Sequence, residues 1–275
     1  MTSESLRFAS ASSVSLEEYA EVFTAGFTGY EPPIVFDVSK LARKVRTEQY
    51  DLEHSLIAYE GEERAGVAVL AGRGERGWCG GFGVVPRLRG RGVGRLLMNE
   101  FLKSARDAGV RRLSLEVLRE NEVARRLYES VGMRVARDLL VLDREAERFT
   151  AEGRELEEAE AKDLLPHFAR LHAVAPAWQR DLPALLAARA RGLRLGPRGM
   201  PRAYALISEG GDGKTYFTDL AAEDEDAARE LSSGLARVKG AMRIVNEPLQ
   251  SPFVAPLFER GFVETLRQHE MAIEL

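Results

Sequence analysis

A short segment rich in arginine and glycine, residues 82–95, has the composition of a site for a phosphate-bearing ligand. It reads FGVVPRLRGRGVGR, and Gly90, Gly92 and Gly94 alternate with other residues directly before a helical pattern. Glycines there allow tight turns and bring main-chain N–H groups close to a ligand, and a helix N-terminus attracts anions. Four arginines add positive charge: Arg87, Arg89, Arg91 and Arg95. We therefore expect a polyanionic phosphate ligand.

The elements around this segment are those of a chain in which strands and helices alternate. A strand pattern at residues 78–85 ends at Pro86, which has no N–H for a strand ladder. A helix is expected at residues 92–108, because its apolar residues recur at helical spacing. The other elements predicted in the first half are strands at residues 6–9, 55–59, 65–70, 112–118 and 133–142, and helices at 15–24, 40–49 and 122–130.

The second half repeats this order of elements. Two helices are expected first, followed by strands at residues 203–207, 215–220, 242–245 and 262–273 and helices at 226–238 and 252–260. The closest internal match pairs NEVARRLYESVGM, residues 121–133, with NEPLQSPFVAPLFERGF, residues 246–262. In this match Phe258 takes the place of Tyr128. We infer a diverged tandem duplication, with domains of residues 1–146 and 147–275 and the boundary inside the charged segment 143–160.

The glycine segment resembles the acetyl-CoA loop of the GNAT superfamily of N-acetyltransferases. The pattern of that loop is Arg or Gln, two residues, Gly, one residue, then Gly or Ala, and residues 89–94 fit it at every position. The resemblance continues through residues 115–117 and through Asn121 and Tyr128, so it covers about residues 6–144. It implies an α/β (α+β) protein of two GNAT-like domains, each with a mixed, mostly antiparallel twisted sheet flanked by helices.

The resemblance also assigns cofactor contacts. Main-chain groups of Phe82 and Val84 are expected to pair with the pantetheine amides, and the N–H groups of residues 89–94 to hold the pyrophosphate. Tyr128 is expected near the thioester sulfur as the general acid that protonates the leaving thiolate. The full set expected to contact acetyl-CoA is Phe82, Val84, Val85, Arg89, Gly90, Arg91, Gly92, Val93, Gly94, Arg95, Asn121 and Tyr128.

The base that deprotonates the amine is less well defined. Many GNAT relatives have a glutamate on the strand before the loop, whereas this chain has Cys79, Gly80 and Gly81 there. Glu116 and Glu31 are the two candidates in the first domain. A carboxylate of the second domain, the terminal carboxylate of Leu275 or a water chain are alternatives.

The amine acceptor is expected to bind against aromatic residues of the first domain. By position in the family fold, these are Phe27, Tyr30 and Trp78. The glycines at positions 80, 81 and 83 are expected to leave space for a bulky acceptor. The resemblance implies a small-molecule or peptide amine, and the sequence does not identify it further.

The second domain lacks the phosphate loop. Its strand at residues 215–220 is followed by AAEDED, residues 221–226. Acidic residues suit a helix N-terminus, but they would repel a pyrophosphate. We therefore expect a degenerate GNAT-like domain that does not bind acetyl-CoA.

Three other motifs are interpreted as ordinary structure. GRGERG at residues 72–77 matches a dinucleotide pattern, but a strand follows it where a helix is required, so we expect a hairpin loop. Gly213-Lys214-Thr215 lacks the first glycine of a phosphate-binding loop and is expected to form a turn. His167 and His172 have no cysteine or carboxylate cluster with them, so no metal site is expected.

Composition sets the remaining expectations. The 275 residues are 45% hydrophobic and 30% charged, with a formal net charge of -4, which does not favour nucleic acid. One cysteine excludes an intrachain disulfide, and neither a signal peptide nor a membrane span is expected. These features predict a cytoplasmic protein, with a homodimer left open. Two functions remain: an N-acetyltransferase, and a catalytically inactive acetyl-CoA-binding sensor or scaffold.

Overall fold

A computed structural model describes residues 6–30, 33–146 and 153–275 of the chain. It divides into two compact units. The first extends to Ala136 and also contains Glu270–Leu275, and the second is Arg137–His269. This division differs from the sequence-based boundary between residues 146 and 147. The two units meet at residues 136 and 137, inside the strand Arg134–Arg144, and the last residues of the chain belong to the first unit.

The strands, in chain order, are β1 Leu6–Ser10, β2 Tyr50–Glu60, β3 Glu63–Arg73, β4 Arg76–Val84, β5 Arg112–Leu118, β6 Arg134–Arg144, β7 Glu157–Glu160, β8 Arg191–Leu195, β9 Ala203–Glu209, β10 Thr215–Ala222, β11 Met242–Pro248 and β12 Val263–Glu274. The α-helices are α1 Leu16–Gly26, α2 Val38–Lys44, α3 Val93–Asp107, α4 Glu122–Ser130, α5 Ala161–Leu164, α6 Phe168–Leu171, α7 Leu182–Ala187, α8 Glu225–Leu235 and α9 Val254–Glu259. Each described helix is too short or too polar to span a bilayer.

The sheet of the first unit has the order β1-β2-β3-β4-β5. Strands β1 to β4 are antiparallel to their neighbours, and β5 is parallel to β4. The apolar stripe of α3 packs on one face of this sheet: Leu97, Met98 and Phe101 are fully buried in a cluster with residues of β2 to β5. Helix α1 packs on β3 and β4, so the sheet is covered by a helix on each side.

The end of the chain completes this first unit. Met271 is fully buried in the same apolar cluster. The N–H of Leu275 donates to the carbonyl of Arg111 at 2.7 Å, and Arg112 forms an ion pair with Glu274 at 2.6 Å. These contacts are the reason that residues 270–275 belong to the first unit.

Strands β4 and β5 separate before they end. Their parallel ladder joins Arg76–Trp78 to Arg112–Ser114, whereas β4 continues to Val84 and β5 to Leu118. In the described part of the chain, the edge of β4 that faces β5 therefore has no ladder partner beyond Trp78. This separation leads directly to the glycine segment.

The second unit repeats the arrangement. Its sheet runs β6-β11-β10-β9-β8-β7, with antiparallel pairs everywhere except the parallel pair β10–β11. That pair is also short, joining Thr215–Phe217 to Met242–Ile244. Helix α8 buries Leu231 and Leu235 against the sheet. The structure thus confirms the expected fold class: two units, each with a mixed, mostly antiparallel sheet flanked by helices.

Candidate active site

The segment between β4 and α3 is a compact turn that ends at the start of the helix. A 3-10 turn, Pro86–Leu88, follows the strand. Gly90 has φ 72° and Gly92 has φ 85°, a left-handed conformation that glycine adopts without steric cost. Gly92 is the N-cap of α3 and has no side chain to cap the helix. The N–H groups of the first turn therefore stay open.

These open N–H groups form the most distinctive feature of the site. The N–H groups of Arg95 and Leu96 donate to the carbonyl of Gly92. Within the described residues, the main-chain N–H groups of residues 90–94 have no acceptor. Free N–H groups at the positive end of a 15-residue helix form an anion site.

The four arginines of the segment divide into two pairs. Arg87 forms ion pairs with Glu60 and Glu63, and Arg89 bonds to main-chain carbonyls. Arg91 and Arg95 are exposed, and neither has an ion pair or hydrogen bond from its side chain to another described residue. Only this second pair keeps its charge available to a phosphate.

The main-chain groups predicted to contact pantetheine differ in whether they already form hydrogen bonds within the protein. The carbonyl of Val84 accepts a hydrogen bond from Nε of Arg89 at 2.8 Å. The N–H of Val85 donates to Ala65, and its carbonyl accepts from Leu88, both at 3.0 Å. Val85 is therefore already paired on both sides. Phe82 lies on the part of β4 that has separated from β5.

Asn121 and Tyr30 join two elements that border this segment. Asn121 is the N-cap of α4, and its Oδ1 accepts from the N–H of Ala124 at 3.1 Å. Its Nδ2 donates to the hydroxyl of Tyr30 at 3.2 Å. Tyr30 also contacts Phe27 edge-on at 5.2 Å, and Phe27 stacks on Phe23 at 4.8 Å. The loop after α1 is thus connected to α4 through an aromatic row and one hydrogen bond.

Tyr128, on α4, is buried, with a relative exposure of 6%. Its ring meets that of Phe82 edge-on, with centroids 6.1 Å apart. Burial, and to a lesser extent Cys79 and Tyr30, raises the pKa of Tyr128 well above its ordinary value of 10.0. Among the described residues, no side chain or main-chain group forms a hydrogen bond with its hydroxyl.

Trp78 and Glu116 interact with each other. Trp78 has a relative exposure of 4%, and its indole N–H donates to Oε2 of Glu116 at 2.7 Å. Trp78 therefore lies in the interior, whereas Phe27 and Tyr30 are half-buried. Glu31 lies outside the described residues.

The expectation that glycines 80, 81 and 83 leave open space is wrong. A Cβ on Gly81 would lie 2.6 Å from the ring of Phe23, and one on Gly83 would lie 2.7 Å from the carbonyl oxygen of Gly26. A Cβ on Gly80 would lie 2.7 Å from the ring of Tyr50. Helix α1 and the rings of Phe23 and Tyr50 fill this space, and no sequence pattern marks either residue as a neighbour of these glycines. Cys79 beside them is buried, which raises the pKa of its thiol to about 12.

In the second unit, the corresponding connection between strand and helix has a carboxylate at the N-terminus of the helix. Only Glu223 and Asp224 separate β10 from α8. Asp224 caps α8, since its carboxylate accepts from the N–H of Ala227 at 2.7 Å. Glu223 accepts from Arg202 at 2.8 Å. A carboxylate occupies the helix N-terminus here, where the first unit has a bare glycine.

The internal match needs one correction. Asn246 lies within β11 with φ 59°, and it does not cap α9. At the helix ends, Met133 N–H bonds to Tyr128 and Phe262 N–H bonds to Leu257, both at 3.1 Å. The residue that corresponds to Tyr128 is therefore Leu257, because Phe258 is one position further along and exposed. Leu257 also lacks a hydroxyl.

The other interpreted motifs have ordinary roles. Residues 74–75 form the β3–β4 hairpin turn, and Gly213-Lys214 precedes β10. In the described part of the chain, no group of three His, Cys, Asp or Glu side chains is arranged to hold a metal ion.

Comparisons with known proteins agree with this geometry. The model of the acetyltransferase (GNAT) family matches residues 17–133. A GCN5-related N-acetyltransferase from Sphaerobacter thermophilus superposes with a TM-score of 0.71 at 16% identity, covering 98% of this chain and 95% of that chain. A putative acetyltransferase from Pyrococcus horikoshii gives 0.67 at 14% identity, covering 98% and 89%. A search of curated proteins found no match.

Residues 17–133 thus match the acetyltransferase (GNAT) family, and the chain has the fold of GCN5-related N-acetyltransferases. More particularly, it has a tandem architecture. A tandem GNAT protein from the clavulanic acid biosynthesis pathway superposes on it with a TM-score of 0.66 at 13% identity, covering 98% of both chains.

Proposed function

We propose that the protein transfers the acetyl group of acetyl-CoA to a primary amine, and that the first unit alone binds acetyl-CoA. The observation that carries this proposal is the row of open N–H groups at residues 90–94, with Arg91 and Arg95 free beside it. A diphosphate satisfies such donors and is attracted by both the helix dipole and the two guanidinium groups.

The pantetheine arm would follow the edge of β4 where it separates from β5. Main-chain groups near Phe82 supply donors and acceptors there, in the manner of an added strand. We assign no pantetheine contact to Val85, because both of its main-chain groups are paired. Acetyl-CoA supplies the acetyl thioester that the amine attacks.

Tyr128 would act on the leaving sulfur. Its raised pKa keeps the phenol protonated at neutral pH, as a proton donor must be. A thiol has an ordinary pKa of about 8.5, so complete transfer from this phenol to a thiolate is unfavourable. We therefore assign to Tyr128 a hydrogen bond that stabilises negative charge on the sulfur as the C–S bond breaks.

Phe27 and Tyr30 are the residues we assign to the acceptor side. They are half-buried and connected to the cap of α4, whereas Trp78 is buried and would act by holding Glu116. Glu31, which follows Tyr30 in the sequence, is the carboxylate we assign to deprotonation of the amine, because Glu116 already accepts a hydrogen bond from Trp78. A cytoplasmic location and a homodimer stay predictions.

The test measures the rate at which free CoA thiol is released from acetyl-CoA in the presence of a panel of small and peptide amines. We expect turnover with at least one amine and a decrease in kcat of about 10²-fold for Tyr128→Phe. Tyr216→Phe is the control, since it removes a hydroxyl that donates to Asp212 in the β9–β10 turn. Binding of acetyl-CoA without turnover on any amine would favour a sensor, and equal rates for Tyr128→Phe would remove Tyr128 from the mechanism.

A further inference from the structure

Arg89 occupies the first position of the loop motif, but its guanidinium is directed away from the open N–H groups. Its Nη2 donates to the carbonyls of Gly26 at 3.1 Å and Thr28 at 2.7 Å. Its Nε donates to the carbonyl of Val84 at 2.8 Å. One side chain thus joins the end of β4 to the end of α1.

The carbonyls that Arg89 binds are those that need a donor. Gly26 is the last residue of α1, and carbonyls in the last turn of a helix have no intrahelical partner. A cation there also interacts favourably with the helix dipole. The planar guanidinium donates in a fixed fork, which a lysine cannot reproduce.

The loop that Arg89 holds carries the acceptor-side aromatics. Phe27 lies between Gly26 and Thr28, whose carbonyls both accept from Arg89. Tyr30 follows in the same turn, since its N–H donates to the carbonyl of Phe27 at 3.2 Å. The close contact of Gly26 with Gly83 fixes the same end of α1 against β4.

We infer that Arg89 is a positioning residue for the amine acceptor: it fixes Phe27 and Tyr30 relative to the end of β4, and it does not hold the phosphates through its side chain. This inference rests on the proposed acetyltransferase function. It separates two roles within one loop, because the main chain of residues 90–94 serves the diphosphate and the side chain of Arg89 serves the acceptor wall.

Three variants test it: Arg89→Lys, which keeps the charge and loses the fork, Arg89→Gln, which loses both, and Arg87→Gln, a surface control of equal charge change. For Arg89→Lys we expect KM for the amine to rise about tenfold with KM for acetyl-CoA nearly unchanged. Arg89→Gln should raise KM for the amine at least as much. Arg87→Gln should leave both constants close to wild type, since its partners are surface glutamates.

Hydrogen exchange without substrate gives a second readout. The N–H groups of Phe27 and Thr28 donate to carbonyls in the last turn of α1, and that of Tyr30 donates to Phe27. We therefore expect these N–H groups to exchange faster in both Arg89 variants and at the wild-type rate in Arg87→Gln. A wild-type rate in Arg89→Lys, or a rise in KM for acetyl-CoA alone, would overturn the inference. If wild type does not turn over acetyl-CoA, the proposed function fails. Unchanged hydrogen exchange in the Arg89 variants would refute the positioning role independently of that result.

Discussion

Asn121 bonds to its own helix and to Tyr30 with opposite ends of one amide: Oδ1 accepts from Ala124 and Nδ2 donates to the Tyr30 hydroxyl. The N-cap of α4 is therefore also the anchor of the loop after α1. A single side chain thus caps α4 and holds Tyr30, which we have proposed as an acceptor-side residue.

The two roles of Asn121 can be separated by substitution. Asn121→Ser keeps a good cap, but its shorter side chain does not reach the Tyr30 hydroxyl, so we expect near wild-type stability and a higher KM for the amine. Asn121→Ala should in addition lose about 1 kcal/mol of unfolding free energy. A double-mutant cycle with Tyr30→Phe measures the coupling; additive effects on KM would show that the hydrogen bond does not contribute.

The glycines of β4 make a prediction about stability. Gly83→Ala would place a Cβ 2.7 Å from a backbone oxygen of α1, so we expect a loss of about 2 kcal/mol in denaturant unfolding. Gly72→Ala is the matched control on the neighbouring strand, because no heavy atom lies within 4 Å of its added Cβ. Equal stability of the two variants would mean that α1 does not pack on β4 as closely as described.

A buried charge network in the second unit gives another prediction. Arg180 pairs with Glu247 and, at 3.5 Å, with Asp219, and all three are nearly inaccessible. Asp219 also accepts from Tyr204 at 2.8 Å. Arg180→Met leaves two buried carboxylates without their cation, so we expect a loss of about 3 kcal/mol of unfolding free energy.

The control for this network is Arg229→Met, which breaks an exposed pair with Glu259. It should change the unfolding free energy much less, since exposed pairs contribute little. A comparable loss in both variants would argue against a special role for burial in the network.

Stability should also fall at alkaline pH. Burial raises the pKa of the Cys79 thiol from 9.0 to about 12, and it raises the pKa values of Tyr50 and Tyr128 as well. The unfolded chain therefore releases these protons at lower pH than the folded chain. The stabilisation is complete below pH 9.0 and is lost as pH rises toward about 12.

Chemical unfolding at a series of pH values measures this loss. Cys79→Ala removes one of the groups whose pKa is raised by burial, so its stability should fall less steeply between pH 9.0 and about 12. Identical slopes for wild type and Cys79→Ala would show that the thiol titrates alike in both states.

The sequence predicted elements whose patterns are local. Helix α3 and strands β4 and β5 have clear periodicity, and the glycine segment between them has a specific pattern. Strands β7 and β8 were missed, because β7 is EEAE and its charges indicate a linker. As an outer strand that pairs only with β8, it can keep charged side chains in solvent.

Side-chain direction was the part of the site that sequence could not supply. Arg89 and Arg91 lie two residues apart in the same glycine segment. The side chain of Arg89 binds the carbonyls of Gly26, Thr28 and Val84, whereas that of Arg91 has no partner among the described residues. The direction of the Arg89 side chain depends on where the end of α1 lies. That position is set by a long-range contact between residues 26 and 83. The space beside β4 was misjudged for the same reason, since Phe23 is distant in sequence.

Calorimetric titration with acetyl-CoA measures whether the open N–H groups at the start of α3 hold a diphosphate. We predict one acetyl-CoA binding site per chain. Gly92→Glu should abolish binding, and Asp224→Gly should leave it intact. Gly92→Asn should largely keep binding, because asparagine tolerates positive φ and adds no charge. Absence of binding heat in wild type, or wild-type affinity in Gly92→Glu, would show that these N–H groups do not bind the diphosphate.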